Sequence, residues 1–313
     1  MSTLTQYPRD LIGYGNKPMN VWWPDQAKIA VQFVINYEEG GENCLLHGDG
    51  QSEAFLSDIT NAQPLVGQRN MNMESMYEYG SRAGFWRLHR LFTQRGLPVT
   101  VFAVATALAR NPDTVSAMLD ANWEIANHGL KWIDHQNMPI DEERAQMVEA
   151  IAIQKELTGN EPKGWYTGRT SPNTRSLVLE QSSLLYDSDS YADDLPYWQP
   201  KALMPEGHKP HLIIPYTLDA NDMRFTTASG FSHGVPFFEY LRDTFDVLYD
   251  EGATTPKMMT VGLHPRIIGR PGRLAGLIKF LDHIGSFKKV WVCRRLDIAE
   301  HWYKEFSEEH NND

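Results

Sequence analysis

The chain has 313 residues, a formal net charge of −11 and 42% apolar residues, which is enough for one large α/β domain with a sizeable core. Acidic residues outnumber basic ones by 40 to 29 and no lysine- or arginine-rich block occurs, so nucleic acid is not expected as a partner. The only two cysteines, Cys44 and Cys293, give neither a disulfide framework nor a zinc-type cluster, which is typical of a reducing compartment.

Membrane and export signals are also missing from the sequence. No run of 18 apolar residues occurs, and the first ten residues contain no apolar stretch of the kind found in secretion signals. We therefore expect a cytoplasmic protein without a membrane partner.

Strand-like and helix-like segments alternate from residue 29 onward. Apolar, β-branched runs predict strands at 29–37, 99–104, 123–127, 164–167, 184–187, 211–216, 258–263 and 289–293. Helical periodicity and capping signals predict helices at 74–95, 111–121, 141–158, 174–183, 236–251 and 271–284. This alternation predicts an α/β fold with a parallel sheet, and seven or so strand–helix units fit an irregular (β/α) barrel.

The chain shows no linker that would separate two domains. We expect one domain over residues 28–305, a leader (1–27) packed on it and a polar tail (306–313). Residues 41–72 are polar and punctuated by glycine, and a loop of that length is usually a lid or a binding loop.

The stretch over residues 31–41 carries the first candidate chemistry. A buried strand runs directly into Glu38 and Glu39, and Gly40 and Gly41 then allow a sharp turn. Neighbouring side chains on a strand point to opposite faces, so one glutamate would enter a pocket while the other supports it.

Other chemical side chains also follow predicted strands. His128, Arg169, Asp189 and His264 each come directly after one. In parallel barrels, sites assemble at the carboxyl ends of the strands, so these side chains are expected to meet the two glutamates.

The order of these strand ends resembles the polysaccharide deacetylase superfamily over about residues 28–300. The matching stretches are Asn36-Tyr-Glu-Glu-Gly40, His128-Gly-Leu-Lys-Trp132, Arg169-Thr-Ser-Pro172 and Leu263-His264. The resemblance implies a deacetylase-type barrel of about seven strands and a hydrolytic activity.

The metal ligands of that superfamily are not all present. Its second motif carries two histidines, but Trp132 stands at the second position and cannot bind a metal. Glu39 and His128 fall one short of the three protein ligands of a catalytic zinc site. We therefore expect no metal and no cofactor, with His135 as the alternative third ligand.

The longer strings resemble the metal-independent allantoinases that descend from the superfamily. These strings are Tyr7–Gly15, Asn36–Gly41, Trp165–Thr170, Pro172–Arg175, Tyr186–Asp189, Asp193–Trp198 and Asn221–Phe225. The resemblance implies hydrolysis of (S)-allantoin, a small ureide, to allantoate in purine degradation, by a homo-oligomer that is typically a tetramer. Other cyclic ureides or imides, a metal-dependent sugar de-N-acetylase and a non-enzymatic binding scaffold remain as alternatives.

Opening a hydantoin ring needs a base, a donor to the carbonyl oxygen and a proton for the departing nitrogen. We give the base role to Glu38 or Glu39, and the acid and polarising roles to His128 and His264. Arg169 would hold a carbonyl or the developing oxyanion; its alternative is a loop anchor paired with Asp187 or Asp189. The remaining expected substrate contacts are Asn36, Trp132, Asn173 and Asp189.

Overall fold

The computed structural model describes residues 9–16, 19–200, 204, 207 and 209–307. Within them one sheet contains nine strands. The strands are β1 (Ile29–Tyr37), β2 (Thr100–Ala103), β3 (Glu124–Asn127), β4 (Gly164–Trp165), β5 (Tyr186–Asp187), β6 (Tyr197–Trp198), β7 (Leu212–Ile213), β8 (Lys257–Leu263) and β9 (Val290–Val292).

The sheet is mostly parallel and curls into a half-barrel. Its order is β6-β7-β5-β4-β3-β2-β1-β8, with β9 also beside β1, and only the β6–β7 pair is antiparallel. A single parallel bridge from Asn221 to Gly262 links the chain after β7 to β8. The predicted irregular (β/α) barrel is confirmed: each of the eight predicted strands overlaps an observed one, and the short strand β6, which was not predicted, brings the number to nine.

Strand β1 pairs with β2, β8 and β9, and all nine of its residues are buried. Its odd-numbered residues, such as Phe33 and Ile35, belong to the large apolar core shared with the helices. Its even-numbered residues lie in layers inside the barrel. These are Gln32 at the bottom, Val34 in a small aromatic cluster, Asn36 above it and then Glu38, just past the strand.

Ten α-helices surround the sheet in the described part of the chain. They are α1 (Met71–Tyr79), α2 (Phe85–Gln94), α3 (Ala105–Arg110), α4 (Pro112–Asp120), α5 (Ile140–Thr158), α6 (Thr174–Leu179), α7 (Gly234–Glu251), α8 (Pro265–Ile268), α9 (Pro271–Ile284) and α10 (Arg295–Glu305). Three of them were not predicted: α3 and α8 are too short to show a period, and α10 was overlooked although Ile298, Ala299 and Trp302 form its buried stripe.

The predicted helix at 74–95 is interrupted by a π-helical turn, Gly80–Gly84, between α1 and α2. A Cβ atom on Gly80 would lie 2.4 Å from Glu39 Oε1, and one on Gly84 would lie 2.0 Å from the Pro265 carbonyl oxygen. Only glycine therefore permits this turn to approach the end of β1 and the start of α8.

The two ends of the chain are described only in part. Residues 1–8, 17–18 and 308–313, which include much of the predicted leader and tail, lie outside the described residues. Trp23 is buried against Trp291 and Trp302, so the described end of the leader contacts β9 and α10. No helix in the described ranges is long and apolar enough to cross a membrane.

Candidate active site

Glu38 lines a cavity of about 400 Å³ at the carboxyl ends of the strands. Its Oε1 atom lies 3.4 Å from His128 Nε2 and 3.5 Å from His264 Nε2. Its Oε2 atom accepts a 2.6 Å hydrogen bond from Arg266 Nη2. One carboxylate therefore contacts three basic side chains in a buried site.

Glu39 points away from the cavity, as the alternation of a strand predicts. Its Oε2 atom accepts from the backbone N–H of Glu38 at 3.2 Å. Its Oε1 atom accepts from the backbone N–H of Arg266 at 3.2 Å and from Nη1 of the same residue at 3.4 Å. Burial raises the pKa of Glu39. The two neighbouring carboxyl groups thus have different surroundings and different proton affinities.

Arg266 is the main site residue that the sequence reasoning missed. Its guanidinium lies between the two glutamates, over the Tyr77 ring at 4.2 Å, and donates from Nε to the Leu56 carbonyl oxygen. Burial opposes ionisation of Glu38, yet Arg266 and His264 hold the pKa of that carboxyl well below its ordinary range. The available signal was the position of this arginine, two residues beyond the Leu263-His264 motif.

His264 forms a buried pair with Asp222, another residue without a predicted role. Its Nδ1 atom lies 2.6 Å from Asp222 Oδ1, while Asp222 Oδ2 accepts from the backbone N–H groups of His264 and Ile268. Burial alone would lower the pKa of His264, but Asp222 and Glu38 raise it to about 9. At neutral pH this ring is an imidazolium that can give up a proton from Nε2.

His128 has a fixed tautomer when it is neutral. Its Nδ1 atom lies 2.8 Å from the Tyr166 carbonyl oxygen, which can only accept, so Nδ1 carries the proton. Its Nε2 atom is buried and has no hydrogen-bond partner within the described residues. This nitrogen is an acceptor beside Glu38, in position for a water or a substrate N–H.

Aromatic rings and one arginine form the outer wall of the cavity. Trp132 stacks on Phe55 with 5.7 Å between ring centroids and 14° between planes. The Arg169 guanidinium lies 5.2 Å from the Trp132 centroid and 5.6 Å from the Phe55 centroid. Its Nη1 atom has no hydrogen-bond partner in the described part of the chain, and its Nη2 atom lies 3.9 Å from Asp134 Oδ2. Arg169 can therefore bind an oxygen of a ligand.

Two residues expected to contact substrate lie outside the cavity lining. Asp189 accepts hydrogen bonds from the backbone N–H groups of Thr167 and Gly168. Asn173 donates from its backbone N–H to Ser171 Oγ at the start of α6. These hydrogen bonds hold the loop that carries Arg169. Polar side chains next to short strands can bond to the backbone in this way instead of facing a ligand. Asp187, the other anchor considered for Arg169, pairs with Arg175 at 3.2 Å.

The residues do not fit the metal that the family implies. Trp132 stands at one ligand position, and Arg266 holds the Glu39 carboxylate. His135, the alternative ligand, turns its Nδ1 atom towards the Arg169 carbonyl oxygen at 3.3 Å. No group of three His, Cys, Asp or Glu side chains among the residues described is arranged to hold a metal ion. The cation between the two carboxylates is a guanidinium.

Comparison with known proteins agrees with this fold. The family model for polysaccharide deacetylase matches residues 70–184. A Schizosaccharomyces pombe protein, provisionally named as a polysaccharide deacetylase, is 45% identical over 309 residues, covering 94% of this chain and 96% of that protein.

Two crystal structures are more similar still. One is a probable polysaccharide deacetylase from Pseudomonas aeruginosa PAO1, 60% identical with a TM-score of 0.94. The other is the PuuE allantoinase, 59% identical with a TM-score of 0.94. Each comparison covers 96% of this chain and 99% of the other. The chain belongs to the polysaccharide deacetylase family.

Proposed function

We propose that the protein hydrolyses (S)-allantoin to allantoate in purine degradation, without a catalytic metal. The likeness to PuuE allantoinase, at 59% identity over 96% of the chain, supports a hydrolase of carbon–nitrogen bonds in cyclic amides. The observation that carries the proposal is that Glu38 lies between two histidines and that its carboxylate pairs with the Arg266 guanidinium. A cavity of about 400 Å³ suits a small ureide.

Glu38 is the base in this proposal, because Glu39 does not face the cavity. A water donates one hydrogen bond to Glu38 Oε1 and one to His128 Nε2, atoms that lie 3.4 Å apart. As the water oxygen bonds to the ring carbonyl carbon, Glu38 takes one of its protons. Its low pKa keeps the carboxylate ionised and ready, while the contact with Arg266 fixes its orientation.

His264 completes the reaction as the acid. The carbon–nitrogen bond of the tetrahedral intermediate breaks, and the departing nitrogen takes the Nε2 proton of the imidazolium. His264 Nε2 lies 3.5 Å from Glu38 Oε1, so the proton on Glu38 then passes to His264 and restores the starting state. The lowered pKa of Glu38 and the raised pKa of His264 both favour that return.

Arg169, Trp132 and Asn36 have binding roles. Trp132 offers a flat apolar face to the ring, and the free Nη1 atom of Arg169 binds a carbonyl oxygen of the ureide arm. Asn36 lines the floor of the same cavity. The homo-oligomer, a tetramer by resemblance, stays a prediction that light scattering after gel filtration tests.

The first experiment is allantoin hydrolysis by protein stripped of metal and assayed in excess chelator. We expect undiminished turnover, with Glu38→Gln treated in parallel as the inactive control. Loss of turnover that zinc or another divalent ion restores would contradict the metal-free mechanism. Inactivity in both conditions would refute allantoin as substrate and direct the assay to other cyclic imides, and then to acetylated sugars.

A further inference from the structure

We propose that the Tyr216 hydroxyl is a further catalytic group, which donates a hydrogen bond to the carbonyl oxygen of the amide under attack. The inference rests on the proposed function, because that carbonyl belongs to the substrate ring. It starts from two asparagines, Asn36 and Asn221, that both donate to the Tyr216 oxygen.

The orientation of each asparagine amide is fixed by a second contact. Asn36 Nδ2 also lies 3.2 Å from the Leu263 carbonyl oxygen, which can only accept. Asn221 Nδ2 lies 3.1 Å from the Thr217 carbonyl oxygen, and Asn221 Oδ1 accepts from the backbone N–H of Met223. Both amides therefore present N–H groups, not oxygens, to Tyr216.

The Tyr216 oxygen accordingly accepts two hydrogen bonds, at 2.8 Å from Asn36 and 3.4 Å from Asn221. A phenol has one proton to donate, and within the described residues no acceptor lies in reach of it. Tyr216, Asn36 and Asn221 all line the cavity that contains Glu38, His128 and His264. The O–H group is therefore free to donate its hydrogen bond into the cavity.

The surroundings keep this donor rigid and protonated. The Tyr216 ring packs on Phe102 and Tyr166 at centroid distances of 5.3 and 4.7 Å. A Cβ atom on Gly262 would lie 2.5 Å from the Tyr216 hydroxyl, so only glycine leaves room for it there. Burial raises the pKa of Tyr216 well above its ordinary range, which prevents loss of the proton. The two donated hydrogen bonds polarise the O–H and strengthen it as a donor.

The hydroxyl acts where charge develops. When the water oxygen bonds to the carbonyl carbon, the carbonyl π pair moves to the oxygen, and the Tyr216 O–H stabilises that negative charge without giving up its proton. When the carbon–nitrogen bond breaks, the pair returns and the hydrogen bond weakens. A donor of this kind is worth about 10²- to 10³-fold in kcat.

Tyr216→Phe removes only the hydroxyl and is the first test. We expect kcat for allantoin to fall by about 10²-fold or more, with a smaller change in KM, because the bond strengthens in the transition state. Tyr303→Phe is the matched control: that hydroxyl donates to the Leu185 carbonyl oxygen outside the cavity, and its removal should leave kcat unchanged. An unaltered kcat in Tyr216→Phe, or a change confined to KM, would overturn the catalytic role.

A series of fluorinated tyrosines at position 216 separates donation from packing. Fluorine makes the phenol more acidic while the ring keeps nearly the same shape, so kcat should rise with each added fluorine in the pH range where the phenol stays protonated. A purely structural hydroxyl would give a flat series, and that result would refute the proposal even if Tyr216→Phe folds poorly.

The wild-type assay keeps this inference distinct from the proposed function. If wild-type protein does not open allantoin, the assigned substrate is wrong, and the same series is measured on the cyclic amide that it does open. If wild type is active and the series is flat, the substrate stands and Tyr216 is not the donor.

Discussion

Glu38 and Glu39 are adjacent in sequence and face opposite ways, one into the cavity and one under the helices. We expect Glu38→Gln to lower kcat by about 10²- to 10⁴-fold, the range for loss of a general base. Glu39→Gln should stay within about tenfold of wild type, because Glu39 does not face the cavity and the amide oxygen of glutamine can still accept hydrogen bonds from the backbone N–H groups of Glu38 and Arg266. Steady-state kinetics on both folded variants measures the difference, and equal losses would contradict the division of roles.

The His264–Asp222 pair predicts the alkaline limb of the pH profile. His264 must be protonated to act as the acid, so activity should fall as the pH rises through about 9. Asp222→Asn removes the charge that contributes most to raising this pKa, so the limb should move down towards the ordinary histidine value of 6.5.

The measurement is kcat against pH for both proteins. The corresponding change at Asp219, an exposed partner of Tyr240, is the control and should leave the limb in place. An alkaline limb that does not move in Asp222→Asn would exclude His264 as the acid.

Among the site residues, sequence reasoning found those whose position follows from strand geometry. Alternation along β1 correctly predicted that one of the two glutamates faces the cavity and the other lies behind it. It did not show which glutamate takes which position. Arg266, Asp222 and Tyr216 were missed because their roles depend on what a side chain meets across the barrel. A pattern along the chain does not show which distant side chains will be in contact.

The π-helical turn sets how closely α1 and α2 approach the site. Gly84 lies where a methyl group would overlap the Pro265 carbonyl oxygen, a backbone atom that cannot rotate away. We expect Gly84→Ala to lower the free energy of unfolding by about 1–3 kcal/mol, as overpacking does. The displaced α8 would also move Arg266 and reduce kcat.

Gly272, in the first turn of α9, is the control for that substitution because a methyl group there meets open space. Gly272→Ala should leave kcat unchanged and raise stability by up to about 1 kcal/mol. Urea unfolding of both variants makes the comparison. A Gly84→Ala protein as stable and active as wild type would mean that the turn tolerates a wider approach.

At the scale of elements, the long strands and helices were predicted close to their observed bounds. The short strands were located correctly but predicted too long, and the short helices α3 and α8 were missed. β1 and β8 are apolar along most of their length, and α5 and α7 extend over 19 and 18 residues. Strands such as β4 and β5 have only two residues each, because the length of a strand depends on its pairing with neighbours in the sheet and not on its own composition alone. The predicted helix at 74–95 is interrupted at Gly80–Gly84, where the chain packs closely against Glu39 and Pro265, and the local sequence does not show such contacts.

At the scale of the whole molecule, Arg295 links β8 to the segments that follow β5 and β7 in the lower part of the barrel. It is fully buried and donates to Ser188 Oγ, to Thr260 Oγ1 and to the carbonyl oxygens of Ile214 and Pro215. We expect Arg295→Met to lower the free energy of unfolding by about 2–4 kcal/mol, because it leaves buried acceptors unpaired.

Denaturant unfolding measures that loss. Arg242→Met removes a half-exposed arginine on α7 and should change stability by no more than about 0.5 kcal/mol. If both substitutions cost the same, the buried network contributes nothing beyond the side chain itself.

The guanidinium between Glu38 and Glu39 has a consequence for how the active protein would form under the proposed metal-free mechanism. A bound ion has to be delivered after synthesis, competes with other ions for its place and can be withdrawn when the supply runs short. Arg266 is translated with the chain, is present once per molecule and reaches its position as α8 packs. In the proposed metal-free mechanism, the supply of this cation therefore depends on folding alone and not on the metal status of the cell.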